Sequence, residues 1–206
     1  MSGRRYREGE EQMTDSYDLM IVGIGGQGTI LASNIIGEAC ILEGRTVRGA
    51  ETHGMAQRGG SVESHVRIDG KFGPLIAPGT ADLLIGFDLL EGLRYSHFLK
   101  PDGAIVISER LVIPTSVYVQ GLPIPSPEDL IKRLSHFHLT LIKAEEIASE
   151  AGNVLASNVV MLGAASHHLP LAESSLIQAV QRLVPKKTIE INTRAFDMGR
   201  NVGHLC

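Results

Sequence analysis

The 206-residue chain has little cysteine, no long apolar segment and no excess of basic residues. Its two cysteines, Cys40 and Cys206, are too far apart to form a CxxC pair, and two are too few for a disulfide framework. No stretch reaches the roughly 20 apolar residues that cross a bilayer, and residues 1–12 lack the apolar core of a signal peptide. The formal net charge of -4 argues against nucleic acid as a partner. We therefore expect a reduced, cytoplasmic protein that binds neither membranes nor nucleic acid.

The length suits one domain, because single domains usually have about 100–200 residues. Residues 1–14 are polar and charged, and a second methionine, Met13, precedes the first apolar run. We predict that 1–14 form a disordered N-terminal extension and that 15–206 form a single domain.

Apolar runs of strand length alternate with longer segments of helical period. This alternation is typical of a largely parallel sheet that is covered by helices on both faces. The expected fold is α/β: a three-layer α/β/α sandwich around a mainly parallel, mixed, Rossmann-like sheet. The predicted strands are 17–23, 46–50, 61–69, 81–87, 103–108, 118–122 and 188–192, and the predicted helices are 28–42, 89–99, one from 127, 144–150, 158–167, 172–183 and one from 193.

A glycine turn, residues 23–28, connects the first strand to the first helix. Glycine allows a phosphate to approach the main chain closely, and the N–H groups at a helix start favour an anion. A GxGxxG match alone is weak, so a tight turn without a ligand is an equal alternative. The candidate cofactor-binding residues of the turn are Gly23, Gly25, Gly26, Gln27 and Gly28.

A second glycine-rich segment, residues 51–61, follows the second predicted strand. Arg58 lies before Gly59 and Gly60, where its planar guanidinium would suit a carboxylate, a phosphate or an acidic residue of a partner. A solvated loop arginine is the alternative. We add Arg58, Gly59, Gly60 and Ser61 to the candidate cofactor-binding residues.

The same segment contains four residues that we assign to a candidate interface or substrate loop: Glu51, His53, Met55 and Gln57. His53 is either a general base or a turn residue, and a lone histidine favours the second role. Met55 offers an adaptable apolar contact of the kind that packs at interfaces. No catalytic residue is assigned.

Eight histidines raise the question of a metal site. His167 and His168 are adjacent, so they point about 100° apart on a helix. No carboxylate or cysteine completes a ligand set with them or with His136 and His138. We expect no metal site.

Several motifs together resemble a known family. They are the glycine turn, the sequence from Glu51 to Val62, Ser64-His65-Val66-Arg67, Leu93-Arg94-Tyr95, and two tail segments, 158–163 and 192–199. Over about residues 17–200 the chain resembles the smaller, gamma-type subunits of the 2-oxoacid:ferredoxin oxidoreductases, in particular the indolepyruvate type. The resemblance implies a fold like the gamma domain of pyruvate:ferredoxin oxidoreductase.

The resemblance also implies a reaction: oxidative decarboxylation of a 2-oxoacid with coenzyme A to acyl-CoA, carbon dioxide and reduced ferredoxin. Thiamine diphosphate and [4Fe-4S] clusters perform this chemistry. A cluster usually needs four cysteine thiolates, so two cysteines are too few. The expected partners are a larger subunit that holds these cofactors, and ferredoxin. We expect this chain alone to bind no cofactor, to meet coenzyme A as a co-substrate, and in isolation to be able to form a homodimer.

Two other function classes fit part of the pattern. An NAD-binding dehydrogenase would use the glycine turn for the pyrophosphate and Glu51 for the ribose. A GxGGxG turn also occurs in E1-like adenylating enzymes, but their paired CxxC zinc motifs are missing here. A non-catalytic binding module with the same fold is the third alternative.

Overall fold

The computed structural model describes residues 16–53 and 60–204. The predicted extension 1–14 lies outside these ranges. None of the helices in these ranges is both long and apolar enough to span a membrane.

A six-stranded mixed sheet forms the centre of the fold, in the order β2-β3-β1-β4-β5-β6. β1 pairs in parallel with β4, β4 with β5, and β5 with β6, whereas β3 is antiparallel to both β1 and β2. The predicted mainly parallel, mixed sheet is therefore confirmed. The strands are β1 Tyr17–Ile24, β2 Val47–His53, β3 Ser61–Ile68, β4 Ala81–Gly86, β5 Leu99–Ser108 and β6 His138–Ile142.

Eight α-helices connect or follow these strands in the described ranges. Short 3-10 helices precede β5, α6 and α8. The helices are α1 Thr29–Leu42, α2 Leu89–Tyr95, α3 Thr115–Val119, α4 Pro127–Leu134, α5 Ala144–Ala151, α6 Ser157–Ala165, α7 Glu173–Leu183 and α8 Ile189–Gly203.

Alternate residues of the central strands are buried in two separate cores. Leu19 and Ile21 of β1 pack with the helices α1, α5, α6, α7 and α8 on one face. Met20 and Val22 pack with α2 and α4 on the other face. A buried parallel strand needs apolar residues on both faces, which explains the continuous apolar run in β1. The predicted three-layer arrangement is confirmed.

Two predicted strands are wrong, because neither segment belongs to the sheet. Residues 118–122 overlap α3, and Gly121 then adopts a left-handed φ of 62°. Residues 188–192 contain three β-branched side chains, but Thr188 ends a 3-10 helix and residues 189–192 form the first turn of α8, whose buried face continues to Phe196. Packing against α6 overrides the local strand propensity there.

Other differences concern boundaries and one missed strand. β6 has only five residues and begins with a histidine, so its sequence pattern is weak, and its pairing with β5 identifies it. The predicted helix 89–99 ends at Tyr95, and β5 begins earlier than predicted, at Leu99. β2 extends three residues beyond its predicted end.

Candidate functional site

A cleft of about 320 Å³ lies where β1, β4 and β5 end, beside the starts of α5 and α6. α1 follows β1 on one face of the sheet, and α2 follows β4 on the other face. Ligands of open α/β sheets bind at such a switch between faces, outside the carboxyl ends of the strands. We call this cavity the carboxyl cleft; its lining residues are Ile24, Gly25, Gly26, Gln27, Phe87, Ser108, Arg110, Val112, Ala144, Glu145, Val154, Leu155, Ser157, Asn158 and Met161.

The glycine turn forms one wall of the cleft. Gln27 closes it: its N–H donates to Ile24 O at 3.0 Å, and its Oε1 accepts from Ile24 N at 2.7 Å. Gly26 and Gly28 have φ values of 102° and 86°, which favour glycine. The N–H of Gly25 donates to Gly60 O at 2.9 Å, so that group is not free for a phosphate.

The five predicted turn residues do not all face the cleft. Gly25, Gly26 and Gln27 line it. Gly23 and Gly28 instead allow close packing, since a Cβ on Gly23 would lie 2.6 Å from Gln27 Oε1 and one on Gly28 would lie 2.5 Å from Asn158 Nδ2. Their glycine identity therefore reflects packing as well as turn geometry.

Two side-chain amides have hydrogen-bonding capacity left over at the cleft. Asn158 is only 6% exposed; its Oδ1 accepts from Val159 N, and its Nδ2 has no acceptor among the described residues. The Nε2 of Gln27 is buried and also has no partner there. A buried N–H group is costly when unpaired, so Gln27 Nε2 suits an acceptor atom on a ligand, and Asn158 Nδ2 offers a second donor beside it. Sequence reasoning missed Asn158 as a site residue, because only the fold brings α6 next to the glycine turn.

Two helices begin at the cleft with their positive ends towards it. Gly28 precedes α1 and supplies no side-chain oxygen to its first turn, and Ala156 precedes α6, where the Oδ1 of Asn158 accepts from Val159 N only. Helix N-termini without such a cap attract anions. Together with the two amides, they make this wall of the cleft suited to a phosphate or carboxylate.

Arg110 supplies positive charge on the opposite wall. Its guanidinium forms an ion pair with Glu145 at the start of α5, and both side chains are more than 40% exposed. Exposed pairs contribute little to stability, so an anionic ligand can compete with Glu145 for Arg110 at low cost.

A buried carboxylate fixes this wall. Asp88 is fully buried and accepts hydrogen bonds from Leu90 N at 2.9 Å and Val112 N at 2.7 Å. Leu89 N donates to Arg110 O at 2.8 Å, which adds a second connection between α2 and the wall. Burial raises the pKa of Asp88, while the N–H donors of Val112, Glu91 and Leu90 oppose that rise. Asp88 thus holds the Arg110 segment in place.

The second glycine-rich segment is only partly described. Met55, Gln57, Arg58 and Gly59 lie outside the described residues, as does the side chain of His53. The described residues at its end, Gly60 and Ser61, hydrogen-bond to other parts of the fold.

Ser61 donates to Glu91 Oε2 at 2.5 Å and lies 3.1 Å from the hydroxyl of Tyr95. The pKa of Tyr95 is raised, mainly by burial. Ser61 therefore lies in a hydrogen-bond network with α2 and is absent from the cleft lining, whereas Gly60 contacts the glycine turn through its carbonyl.

Glu51 does not occupy the position of a ribose-binding acid. In that arrangement the acid ends the strand beside β1. Here β3 lies between β1 and β2, and Glu51 accepts from Ser33 Oγ of α1 at 3.2 Å. The position of Glu51 therefore no longer supports the NAD-binding alternative. Within the described ranges, no three histidine, cysteine, aspartate or glutamate side chains lie together as a metal site requires.

Comparisons of this chain with known proteins identify its family. Residues 18–202 match the family Pyruvate ferredoxin/flavodoxin oxidoreductase. The chain is 38% identical over 188 residues to indolepyruvate oxidoreductase subunit IorB of Archaeoglobus fulgidus, covering 89% of this chain and 94% of that protein. It is 36% identical to the IorB subunit of Thermococcus kodakarensis, with the same two coverages. It is 25% identical to 2-oxoglutarate synthase subunit KorC of Methanothermobacter marburgensis, covering 90% of this chain and 95% of that protein.

Solved structures show the same fold. The gamma subunit of a keto/oxoacid ferredoxin oxidoreductase from Geobacter sulfurreducens is 27% identical, with a TM-score of 0.69, covering 92% of this chain and 99% of that chain. The pyruvate oxidoreductase subunit PORC from Thermotoga maritima has a TM-score of 0.68 at 20% identity, covering 91% and 97%. The chain belongs to the pyruvate ferredoxin/flavodoxin oxidoreductase family and is the small, gamma-type subunit of a 2-oxoacid:ferredoxin oxidoreductase.

Proposed function

We propose that the enzyme oxidatively decarboxylates an aryl pyruvate, with indolepyruvate as the preferred substrate. One observation supports this choice above the others. The chain is 36–38% identical to four archaeal indolepyruvate oxidoreductase subunits. It is only 25–28% identical to the 2-oxoglutarate and pyruvate/ketoisovalerate subunits.

The redox chemistry belongs, in this proposal, to a larger partner subunit that holds thiamine diphosphate and [4Fe-4S] clusters. The present chain has two cysteines, and Cys40 of α1 is buried in the core. Two thiolates cannot replace the usual four. Residues 15–206 act as one domain in the cytoplasm, ferredoxin accepts the electrons, and the isolated chain forms a homodimer through the surface it normally offers the partner.

The carboxyl cleft is the expected contact with coenzyme A. Its phosphates would meet the N–H group of Gly26, which lines the cleft and has no acceptor among the described residues. Asn158 Nδ2, Gln27 Nε2 and Arg110 would supply further donors. The structure of the 2-oxoglutarate:ferredoxin oxidoreductase from Magnetococcus marinus contains coenzyme A, but at 22% identity it supports the fold alone.

An added negative charge tests the coenzyme A contact. In the assembled enzyme, Asn158→Asp should raise the apparent KM for coenzyme A at least tenfold, because it places a carboxylate where we expect a phosphate. Asn34→Asp makes the same change on the exposed side of α1 and serves as the control. Equal KM values for the two variants, with both complexes intact, would remove coenzyme A from this cleft.

Arg58 is tested separately, since we place the 51–61 segment at the subunit interface near coenzyme A. Arg58→Ala should raise the apparent KM for coenzyme A or prevent assembly, and Arg58→Lys should recover only part of either, because lysine lacks the planar fork. Unchanged kinetics and unchanged assembly of Arg58→Ala would refute this placement.

The substrate is tested with the purified complex. Viologen reduction that depends on both coenzyme A and a 2-oxoacid is measured with indolepyruvate, phenylpyruvate, pyruvate and 2-oxoglutarate. We expect the highest kcat/KM with indolepyruvate. A higher value with 2-oxoglutarate or pyruvate would reject the aryl pyruvate assignment while leaving the subunit assignment intact.

A further inference from the structure

A second concavity lies at the open edge of the sheet, between α1 and strands β2 and β3. Its volume is about 590 Å³, within the range of about 300–1,000 Å³ that small-molecule sites occupy. We call it the edge groove, and its central residues are Ser33, Gly37 and Ile41 of α1, Val47 and Gly49 of β2, and Ser64 of β3.

Two glycines keep the groove open. Among the described residues, a Cβ on Gly37 would meet no atom within 4 Å, and a Cβ on Gly49 would meet only the carbonyl of His65, at 3.7 Å. Both sites thus face space in which a side chain would fit. A flat molecule can lie there against backbone atoms on two sides.

Ser64 provides a polar group at the floor of the groove. It is 0% exposed, and its Oγ has no hydrogen-bond partner among the described residues. The register places it beside Ile21 of β1 and Glu51 of β2, so its side chain points to the α1 face. A buried hydroxyl without a partner costs free energy, and a ligand atom that hydrogen-bonds to it would remove that cost.

The lining sets the charge of the ligand. Within the part of the chain that the structure describes, it includes the carboxylates of Glu38 and Glu51 and no lysine or arginine side chain. Glu38 is paired with Arg182, and Glu51 accepts from Ser33 Oγ. An anion would find no cationic side chain among the described lining residues, so coenzyme A and 2-oxoacids are poor ligands for this groove.

The rim adds apolar contact. Ile41 is 64% exposed and Leu183 is 40% exposed, and both border the groove. We propose that the edge groove binds a neutral, planar heteroaromatic ring whose N–H or O–H group hydrogen-bonds to Ser64 Oγ. This site is independent of the carboxyl cleft and extends beyond the proposed function.

Three probes separate the elements of this proposal: indole, 1-methylindole, which lacks the donor, and indole-3-acetate, which adds a negative charge. Binding to the full-length chain is measured by NMR titration, with the methyl signals of Ile41, Val47 and Leu183 as reporters. Indole should bind roughly fivefold to tenfold more tightly than 1-methylindole, the factor that one net hydrogen bond provides. Indole-3-acetate should bind more weakly than either.

Two variants locate the site. Ser64→Ala should bring indole and 1-methylindole to within about twofold of each other, because the hydrogen bond is then lost for both. Gly37→Val fills the groove and should abolish binding, with the thermal unfolding temperature checked to show that the chain is folded. Absence of indole binding, equal binding of the two indoles by the unmodified chain, or unchanged binding by Gly37→Val would each overturn the proposal. None of these results bears on the 2-oxoacid assay.

Discussion

Gly199 on α8 is a position at which a single added methyl group should strongly destabilise the fold. α6 and α8 cross so closely that a Cβ on Gly199 would lie 2.1 Å from the carbonyl oxygen of Val160. Ordinary contact begins at about 3.4 Å, so the two helices would have to separate by about 1.3 Å, the difference of those distances. The obstacle is backbone, which cannot rotate away. Gly199→Ala therefore also shifts α6, which carries Asn158 at the carboxyl cleft.

The magnitude follows from two opposing effects. Overpacking costs about 1–3 kcal/mol, and a contact with backbone belongs at the upper end of that range. Alanine in a helix interior gains about 1 kcal/mol over glycine. The net loss for Gly199→Ala is about 2 kcal/mol, which for a chain of this length lowers Tm by about 4–8 °C.

Gly37 of α1 is the matched control, because it is also a helical glycine but has open space around it. Gly37→Ala should gain the helix propensity without a clash and raise Tm by about 1–4 °C. Both variants are followed by thermal unfolding under identical conditions. If Gly199→Ala is as stable as the unmodified chain, the close α6–α8 contact is wrong; if both variants shift Tm in the same direction, the comparison of the two environments is wrong.

Two further predictions concern buried carboxylates. Arg67→Met leaves Asp18 buried without the guanidinium that contacts it at 2.7 and 2.6 Å. The free energy of unfolding in urea should fall by about 3–5 kcal/mol. A fall below about 1 kcal/mol would show that the pair is solvated. Because burial raises the pKa of Asp88 above its ordinary 3.8, this group's contribution to stability is fully present below 3.8 and is lost as pH rises through the raised folded-state pKa. The stability deficit of Asp88→Asn should thus be larger at pH 4 than at pH 7, and a deficit that grows with pH would contradict this sign.

Local sequence patterns were sufficient for the elements that have a strong period. The apolar run of β1, the alternation in β3 and the Ser126 cap with Pro127 behind it are local signals, and Ser126 Oγ does accept from Asp129 N at 3.1 Å. Short or edge elements depend on their neighbours. β6 is recognised by pairing with β5, and residues 188–192 become helix because α8 packs on α6.

Of the walls of the carboxyl cleft, only the glycine turn was named from the sequence. The glycine turn has a local signature, so its residues could be named from the sequence. Asn158, Arg110 and Asp88 come from three other parts of the chain, and nothing in their local sequence indicates a shared cleft. The sequence also suggested a ribose-binding role for Glu51 because the insertion of β3 between β1 and β2 cannot be read from spacing.

Reconstitution tests the central claim most directly. The larger partner is purified anaerobically from the source organism without the small subunit, and reduction of viologen by indolepyruvate and coenzyme A is measured before and after this chain is added. We predict negligible activity from either component alone, iron and thiamine diphosphate in the partner only, and activity that rises with added chain to saturation. Full activity of the partner by itself, or an isolated chain that binds NAD and has no partner, would contradict the assignment of this chain as a required subunit.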